Sequence, residues 1–307
     1  MNRIAIGLVG VGKIARDQHV PALEESASFR LVATASLAGS VAGIEAYGSF
    51  EEMMEARPDI EAVTICTPPQ GRYEIALAAL KLGKHVMLEK PPAATVGEAT
   101  TLAAAAEESG RSLFATWHSR ESVAVDRACE WLAGKDILSA RILWKEDIRQ
   151  WHPGQEWILD AGGFGVFDPG INALSIITRL LDLPLHVSSA KLSIPINRDS
   201  PIHATIAMKS GSARVDAEMD FLHAGDPVWS IEVDTREGTL HLTDGGNCLQ
   251  LPGENVVRNT NEEYARLYGR FADLVRSGKS DMDLHPLKLV SEISLIAERV
   301  PAPPFDF

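Results

Sequence analysis

Cysteine is scarce in this chain. Three occur in 307 residues, Cys66, Cys129 and Cys248. They are odd in number and far apart, with no C-x-x-C pair. That leaves no disulfide framework and no cysteine-based metal signature, and it fits a reducing compartment such as the cytoplasm. Long apolar runs are missing too. None approaches the ~20 residues needed to cross a bilayer. The opening stretch MNRIAIGLVG is too short for a secretory signal and turns directly into a glycine-rich loop. Basic charge is in deficit, with 29 Lys and Arg against 42 Asp and Glu and a net charge of -13. That argues against nucleic acid or an anionic membrane as partner, because both require a basic surface. Repeats, low-complexity segments and long linkers are also absent. What remains is an ordinary globular composition, 45% hydrophobic and 23% charged, and a length that suits two domains better than one.

The first 119 residues carry a regular alternation. Ile4, Ile6 and Leu8 begin a buried strand that runs into GVGKIA, a match to G-x-G-x-x-[GA]. Gly10 permits the tight turn, Gly12 lets a pyrophosphate approach the backbone, and Ala15 lets the following helix sit close to the strand. Lys13 and Ile14 open that helix, whose free N–H groups suit phosphate. Further strands follow in FRLVATAS, IEAVTICTPP, KHVMLEKPP and SLFATWHSR, with helices GRYEIALAALKLG and VGEATTLAAAAEESG between them. Strands alternating with helices predict a parallel doubly wound sheet of Rossmann type, with ligands at the C-terminal strand ends. Those ends present Gly10, Ser36, Thr67-Pro68, Glu89-Lys90-Pro91 and Trp117-His118. An NAD-binding sheet usually ends its second strand in an acid that grips the ribose 2′-hydroxyl. Here that place falls to Ser36. Serine leaves room for a 2′-phosphate, yet SLAGSVAG supplies no Arg or Lys to hold one. The coenzyme expectation is therefore NAD or NADP, leaning to NAD, with no metal.

From about residue 120 the pattern changes. SVAVDRACEWLAG reads as helix. SARILWKEDI, HVSSAKLSI, HATIAMKS, SARVDAEMDFLH, WSIEVDTREGTLHLT and NCLQLPG are short alternating runs broken by Gly, Pro, Asp or Asn, which predicts a large, open and mainly antiparallel sheet. Two helices, about 261–278 and 286–300, close the chain. Residues 120–307 are thus expected to form a second, α+β domain. Within it, GVFDPGIN opens a helix with the apolar stripe Ile171, Leu174, Ile177 and Leu181. Asp168 there reads in two ways: as a helix cap ahead of Pro169, or as a carboxylate that projects with Asn172 into a reaction site.

The glycine turn, the Thr-Pro-Pro strand end and GKHVMLEKPP resemble the glucose–fructose oxidoreductase / inositol dehydrogenase (Gfo/Idh/MocA) family. Three further blocks, LFATWHSR, WKEDIRQWHPGQEWI and GGFGVFDPGINALSI, are similar to its aldose 1-dehydrogenase branch. The resemblance implies that Lys90 contacts the reacting hydroxyl, often with a cis bond to the following proline. It also implies a homodimer formed through the outer face of the second sheet. Many family members carry a histidine where this chain has Asn172, and the aldose branch shares that change.

On this reading the reaction is oxidation of an aldopyranose at C1 to the aldonolactone, with D-galactose the first choice and L-arabinose and D-fucose as overlapping substrates. These sugars differ only at C5, and one methylene-sized change discriminates by about 1–3 kcal/mol. The coenzyme takes the hydride, and the protein supplies a base and a group that steadies charge on O1. Asp168 is the candidate base, Lys90 the partner of O1 and Asn172 the orienting amide; Lys90 as base is the reverse assignment. Glu146 and His152 are candidate hydroxyl ligands, Trp151 and Trp157 candidate sugar faces or core, and His118 a candidate contact to sugar or nicotinamide. The other histidines, His19 among them, show no ligand spacing and are left structural. Two rival readings stay open: an inositol or other cyclic polyol dehydrogenase, and a coenzyme-binding sensor without turnover.

Overall fold

A computed structural model describes residues 3–181, 183–258 and 262–307. The chain divides into two compact units, one of Met1–His118 with Glu262–Leu284, the other of Ser119–Asn261 with His285–Phe307.

In the first unit, β1 (Ile4–Val9), β2 (Phe29–Ala35), β3 (Glu45–Tyr47), β4 (Ala62–Ile65), β5 (His85–Leu88) and β6 (Leu113–Ala115) form a parallel sheet in the order β3-β2-β1-β4-β5-β6, counted among the described residues. The switch of direction beside β1 places the glycine turn at the crevice where such sheets bind ligands. Both faces of β1 are apolar because both are covered. Ala5 and Val9 pack with Phe50, Met53, Ala76, Leu80 and Leu102 from α2 (Phe50–Ala56), α3 (Arg72–Lys81) and α4 (Val96–Ser109). Ile6 and Leu8 face the other way, toward Ala15 and Leu23. The helix behind the glycine turn begins there as a π-helical segment, Ala15–His19, and continues as α1 (Val20–Glu24).

In the second unit, α5 (Val123–Leu132), β7 (Ile137–Lys145), α6 (Ile148–Trp151) and α7 (Phe167–Leu180) precede β8 (Leu185–Pro195), β9 (His203–Ser210), β10 (Ala213–Asp220), β11 (Val228–Thr235), β12 (Gly238–Thr243), β13 (Cys248–Gln250) and β14 (Val257–Arg258). Among the described residues these strands and β15 (Glu298–Ala302) build a nine-stranded sheet, β14-β13-β12-β11-β7-β10-β9-β8-β15, antiparallel except at β7–β10 and β8–β15. Alternate residues, such as Val215, Ala217 and Met219, are buried, while Arg214, Asp216 and Glu218 stand on the open face.

Two expectations change at the C-terminus. The helix expected over 261–278 is α8 (Glu263–Ser277); Asn261 itself lies outside the described residues. It belongs to the first unit and not to a continuous 120–307 domain. Phe29, Met87 and Phe114 leave an apolar face on the parallel sheet, and Tyr264, Leu267, Tyr268 and Phe271 of α8 cover it. Phe271 stacks on Phe29 at 5.3 Å between ring centres. The last helix, α9 (His285–Ile296), stops short of residue 300. Residues Glu298–Ala302 form β15, parallel to β8 at the sheet edge, where Pro301 is tolerated because an edge strand need not use every N–H.

Candidate functional site

The coenzyme-facing candidates lie along the C-terminal ends of the parallel strands. Gly10 adopts φ +89, and a Cβ there would come within 2.8 Å of the Thr67 nitrogen, so glycine is required on both counts. A Cβ on Gly12 would meet nothing within 4 Å, which leaves the open cradle a pyrophosphate needs. Thr67 Oγ1 is buried without a hydrogen-bond partner, an acceptor and donor ready for a ligand. These three observations fit a nicotinamide dinucleotide. Pro68 is exposed beside them. Lys13 pairs with Asp17, and Ile14 packs against the apolar layer beneath. Ser36 closes β2, its hydroxyl accepting from Ala38 N at 3.1 Å.

The segment after β5 is the most heavily tied. Lys90 is half-buried and its bond to Pro91 is cis. Its backbone N–H donates to Glu89 Oε2 at 2.8 Å. The other oxygen of Glu89 accepts from Tyr264 Oη at 2.7 Å and pairs with His19 Nε2 at 3.0 Å. His19 in turn meets Tyr268 Oη at 2.8 Å. Burial pushes the Glu89 pKa up, but the hydrogen bond and charge of His19, aided by His118 and Tyr264, bring it down to about 2. Burial likewise opposes a charge on His19; Cys66, Tyr268 and Glu89 outweigh it, and the imidazole pKa stands well above 6.5. Glu89 is thus an ionised carboxylate under Lys90, 3% exposed and turned inward.

Arg72 was not singled out by the sequence. At the start of α3 it is 2% exposed and donates to the carbonyls of Thr67, Glu89 and Pro91. One guanidinium therefore ties the end of β4 to the Lys90–Pro91 turn. The only sequence signal was a cation in the first turn of a helix, where the macrodipole disfavours it. His19, left structural above, is the second omission. Beyond β6, Trp117 is buried with its indole N–H donated to Asp283 O at 2.9 Å. His118 bonds Glu263 Oε2 through Nδ1 at 2.7 Å and stacks on Tyr264.

In the second unit, Asp168 does not cap its helix. The N-cap of α7 is Val166, with no side-chain cap bond, and Asp168 sits inside the first turn at 5% exposure. Its neighbour Gly170 lies so close to Met219 that a Cβ would collide with the sulfur, so this turn rests directly on β10. One turn on, Asn172 Oδ1 is buried without a partner. Around Asp168 the WKEDIRQWH block folds as a unit. Glu146, 2% exposed, takes His152 Nε2 on one oxygen and Trp229 Nε1 on the other, each at 2.8 Å. The second ring nitrogen, His152 Nδ1, faces Asp168 Oδ2 at 3.9 Å. Trp151 lies edge-on to Trp229 at 4.8 Å and keeps 38% of its surface exposed, whereas Trp157 is half-buried. Asp147 caps α6 through Arg149 N. Glu146, His152 and Asp168 are thus brought together, with Glu146 bound to His152 and the indole of its own unit. Among the described residues no group of His, Cys, Asp and Glu is arranged to hold a metal, and no helix is long and apolar enough to cross a membrane.

A parallel dinucleotide-type sheet, joined in one chain to a second unit that clusters Asp168, His152 and Glu146, defines a two-part oxidoreductase. The chain belongs to the Gfo/Idh/MocA oxidoreductase family: residues 4–116 match the oxidoreductase family with an NAD-binding Rossmann fold. It is 44% identical to a galactose 1-dehydrogenase of Pseudomonas fluorescens over 98% of both chains. It superposes on the crystal structure of a D-galactose-1-dehydrogenase from Rhizobium etli with a TM-score of 0.93 at 46% identity, over 100% of this chain and 99% of that one. A 3-ketoreductase from Actinomadura kijaniata shares the fold at 21% identity, with a TM-score of 0.88 over 98% of this chain and 100% of that one.

Proposed function

We propose that the protein oxidises an aldopyranose at C1 to the aldonolactone with NAD or NADP, D-galactose being its first substrate and L-arabinose and D-fucose overlapping ones. The observation that carries this is the similarity to galactose 1-dehydrogenases through the whole length of both units, not through the coenzyme unit alone. The bound coenzyme supplies the hydride acceptor. Gly10, Gly12, Lys13, Ile14, Ser36, Thr67, Pro68 and Trp117 form or back its seat. Asp168 takes the proton of the anomeric hydroxyl, and Lys90, set by Glu89, hydrogen-bonds the same oxygen and steadies its developing charge. The unpaired Oδ1 of Asn172 accepts from the sugar or from its hydroxyl network, where an imidazole would instead compete for the proton. His152, held by Glu146, stands beside Asp168 and offers a sugar contact, Trp151 presents an apolar face, and His118 lines the coenzyme side. The protein works in the cytoplasm as a homodimer through the open face of the nine-stranded sheet.

The test is absorbance of the reduced nicotinamide on mixing protein, NAD or NADP, and D-galactose, L-arabinose, D-glucose or myo-inositol in turn. Galactose and arabinose turn over, and Asp168→Ala loses that turnover by a factor of about 100 or more while still binding coenzyme. Turnover of myo-inositol alone would move the chemistry to a ring alcohol. Coenzyme binding with no sugar oxidised would make the protein a sensor.

A further inference from the structure

The stretch from Ser36 to Ile44 contains no charged side chain, so the chain lacks in sequence both the acid that selects NAD and the cation that selects NADP. The fold brings a cation there from elsewhere. Arg16 stands on the π-helical segment behind the glycine turn. Its guanidinium lies against the loop that follows β2, so close over Gly39 that any side chain there would collide with it. Nη1 reaches the Ser40 carbonyl at 3.5 Å, the outer limit of a hydrogen bond. Among the described residues Arg16 has no carboxylate partner. Lys13, the other cation of the turn, is committed to Asp17. Ser36 sits at the near end of the same loop.

We infer that Arg16 and Ser36 together form a 2′-phosphate site, and that the protein therefore binds NADP in preference to NAD. This rests on the coenzyme reading above and deepens it. The guanidinium gives a phosphate a planar, permanently charged fork of donors, and the Ser36 hydroxyl adds a neutral donor where an aspartate would repel. No acid on the loop opposes a dianion. Gly39 is explained as well: it is the place where the loop must make room for the arginine. The lean to NAD drawn from the Ser36 segment alone is reversed, because the cation comes from a residue more than a strand away in sequence.

The experiment needs no sugar. Dissociation constants for NADPH and NADH are measured by nicotinamide fluorescence on the purified protein and on Arg16→Ala, Arg16→Lys and Ser36→Asp. The ratio of the two constants is the readout. Loss of one charge-assisted contact in Arg16→Ala weakens NADPH by about ten- to a hundredfold relative to NADH. Arg16→Lys recovers part of that, and Ser36→Asp turns the preference toward NADH. Added salt weakens NADPH more than NADH. The assignment is overturned if Arg16→Ala weakens both nucleotides by the same factor, as stacking on the adenine would, or leaves NADPH unaffected. Failure of the unaltered protein to bind either nucleotide would overturn the coenzyme reading itself, and this assignment with it.

Discussion

Glu146 Oε1 lies 2.8 Å from His152 Nε2, and the opposite nitrogen of that imidazole faces Asp168 at 3.9 Å. With Nε2–H given to Glu146, Nδ1 is presented toward Asp168, so the Glu146 carboxylate fixes which side of the ring Asp168, the proposed base, meets. Glu146→Gln can donate an amide N–H in return and reverse the tautomer. The expected outcome is a fall in kcat of roughly tenfold or more with little change in the KM for galactose. Trp229→Phe, which removes only the other bond to Glu146, costs less. A rise in KM at unchanged kcat would instead make Glu146 a hydroxyl ligand.

Arg72 serves three carbonyls at once. Arg72→Leu strands them in a buried place, and at about 1–3 kcal/mol per orphaned group the loss is about 3 kcal/mol or more. Arg72→Lys recovers only part, because an ammonium lacks the planar fork. Thermal unfolding and NADPH titration check both: the melting temperature drops, and coenzyme affinity falls with it as the Lys90–Pro91 turn loosens from β4.

The Glu89–His19 pair makes stability depend on pH from two sides. Glu89 is depressed from 4.5 to about 2, so its contribution is complete above 4.5 and is lost as pH falls toward 2. His19 is raised above 6.5, so its contribution is complete below 6.5 and is lost as pH rises through its raised value. Both act fully between about 4.5 and 6.5. Glu89→Gln is expected to cost about 3 kcal/mol there, measured by urea unfolding across pH, with the difference from the unaltered protein shrinking at either end.

Gly170→Ala forces the first turn of α7 away from Met219. Overpacking of this kind costs about 1–3 kcal/mol. Because Asp168 shares that turn, kcat falls more than stability would suggest. Gly170→Ala combined with Met219→Ala, which empties the contested space, should restore part of the rate. No recovery in the double variant would show that Gly170 matters for some other reason.

Much of this was legible because local patterns declare it. GVGKIA and FDPGIN each combine a backbone requirement with a side chain at a strand end or helix start, and they marked Gly10, Gly12 and the candidate Asp168 without help from tertiary contacts; the candidate Lys90 was marked by the family resemblance that EKPP carries. Arg72, His19 and Arg16 were not legible in the same way. Their roles come from partners 17, 70 and 24 residues distant in sequence, and nothing in their own neighbourhoods distinguishes a buried clamp from a solvated cation. Asp168 shows the same limit on a smaller scale: cap and first-turn positions differ by two residues, and Asx-Pro spacing suits either. The strand at 298–302 was missed because its pairing with β8 outweighs the helical period that precedes it.

The return of α8 to the first unit has a bearing on how such proteins can be taken apart. Residues 1–118 read as a portable coenzyme cassette, yet the stretch alone would leave Phe29, Met87 and Phe114 bare and Glu89 without Tyr264. A hybrid enzyme that grafts this half onto a foreign partner must therefore carry residues 262–284 as well. The chain passes between its units at three places; recombination at either of the first two separates Lys90 from part of what holds it, and only the third leaves the whole first unit on one side.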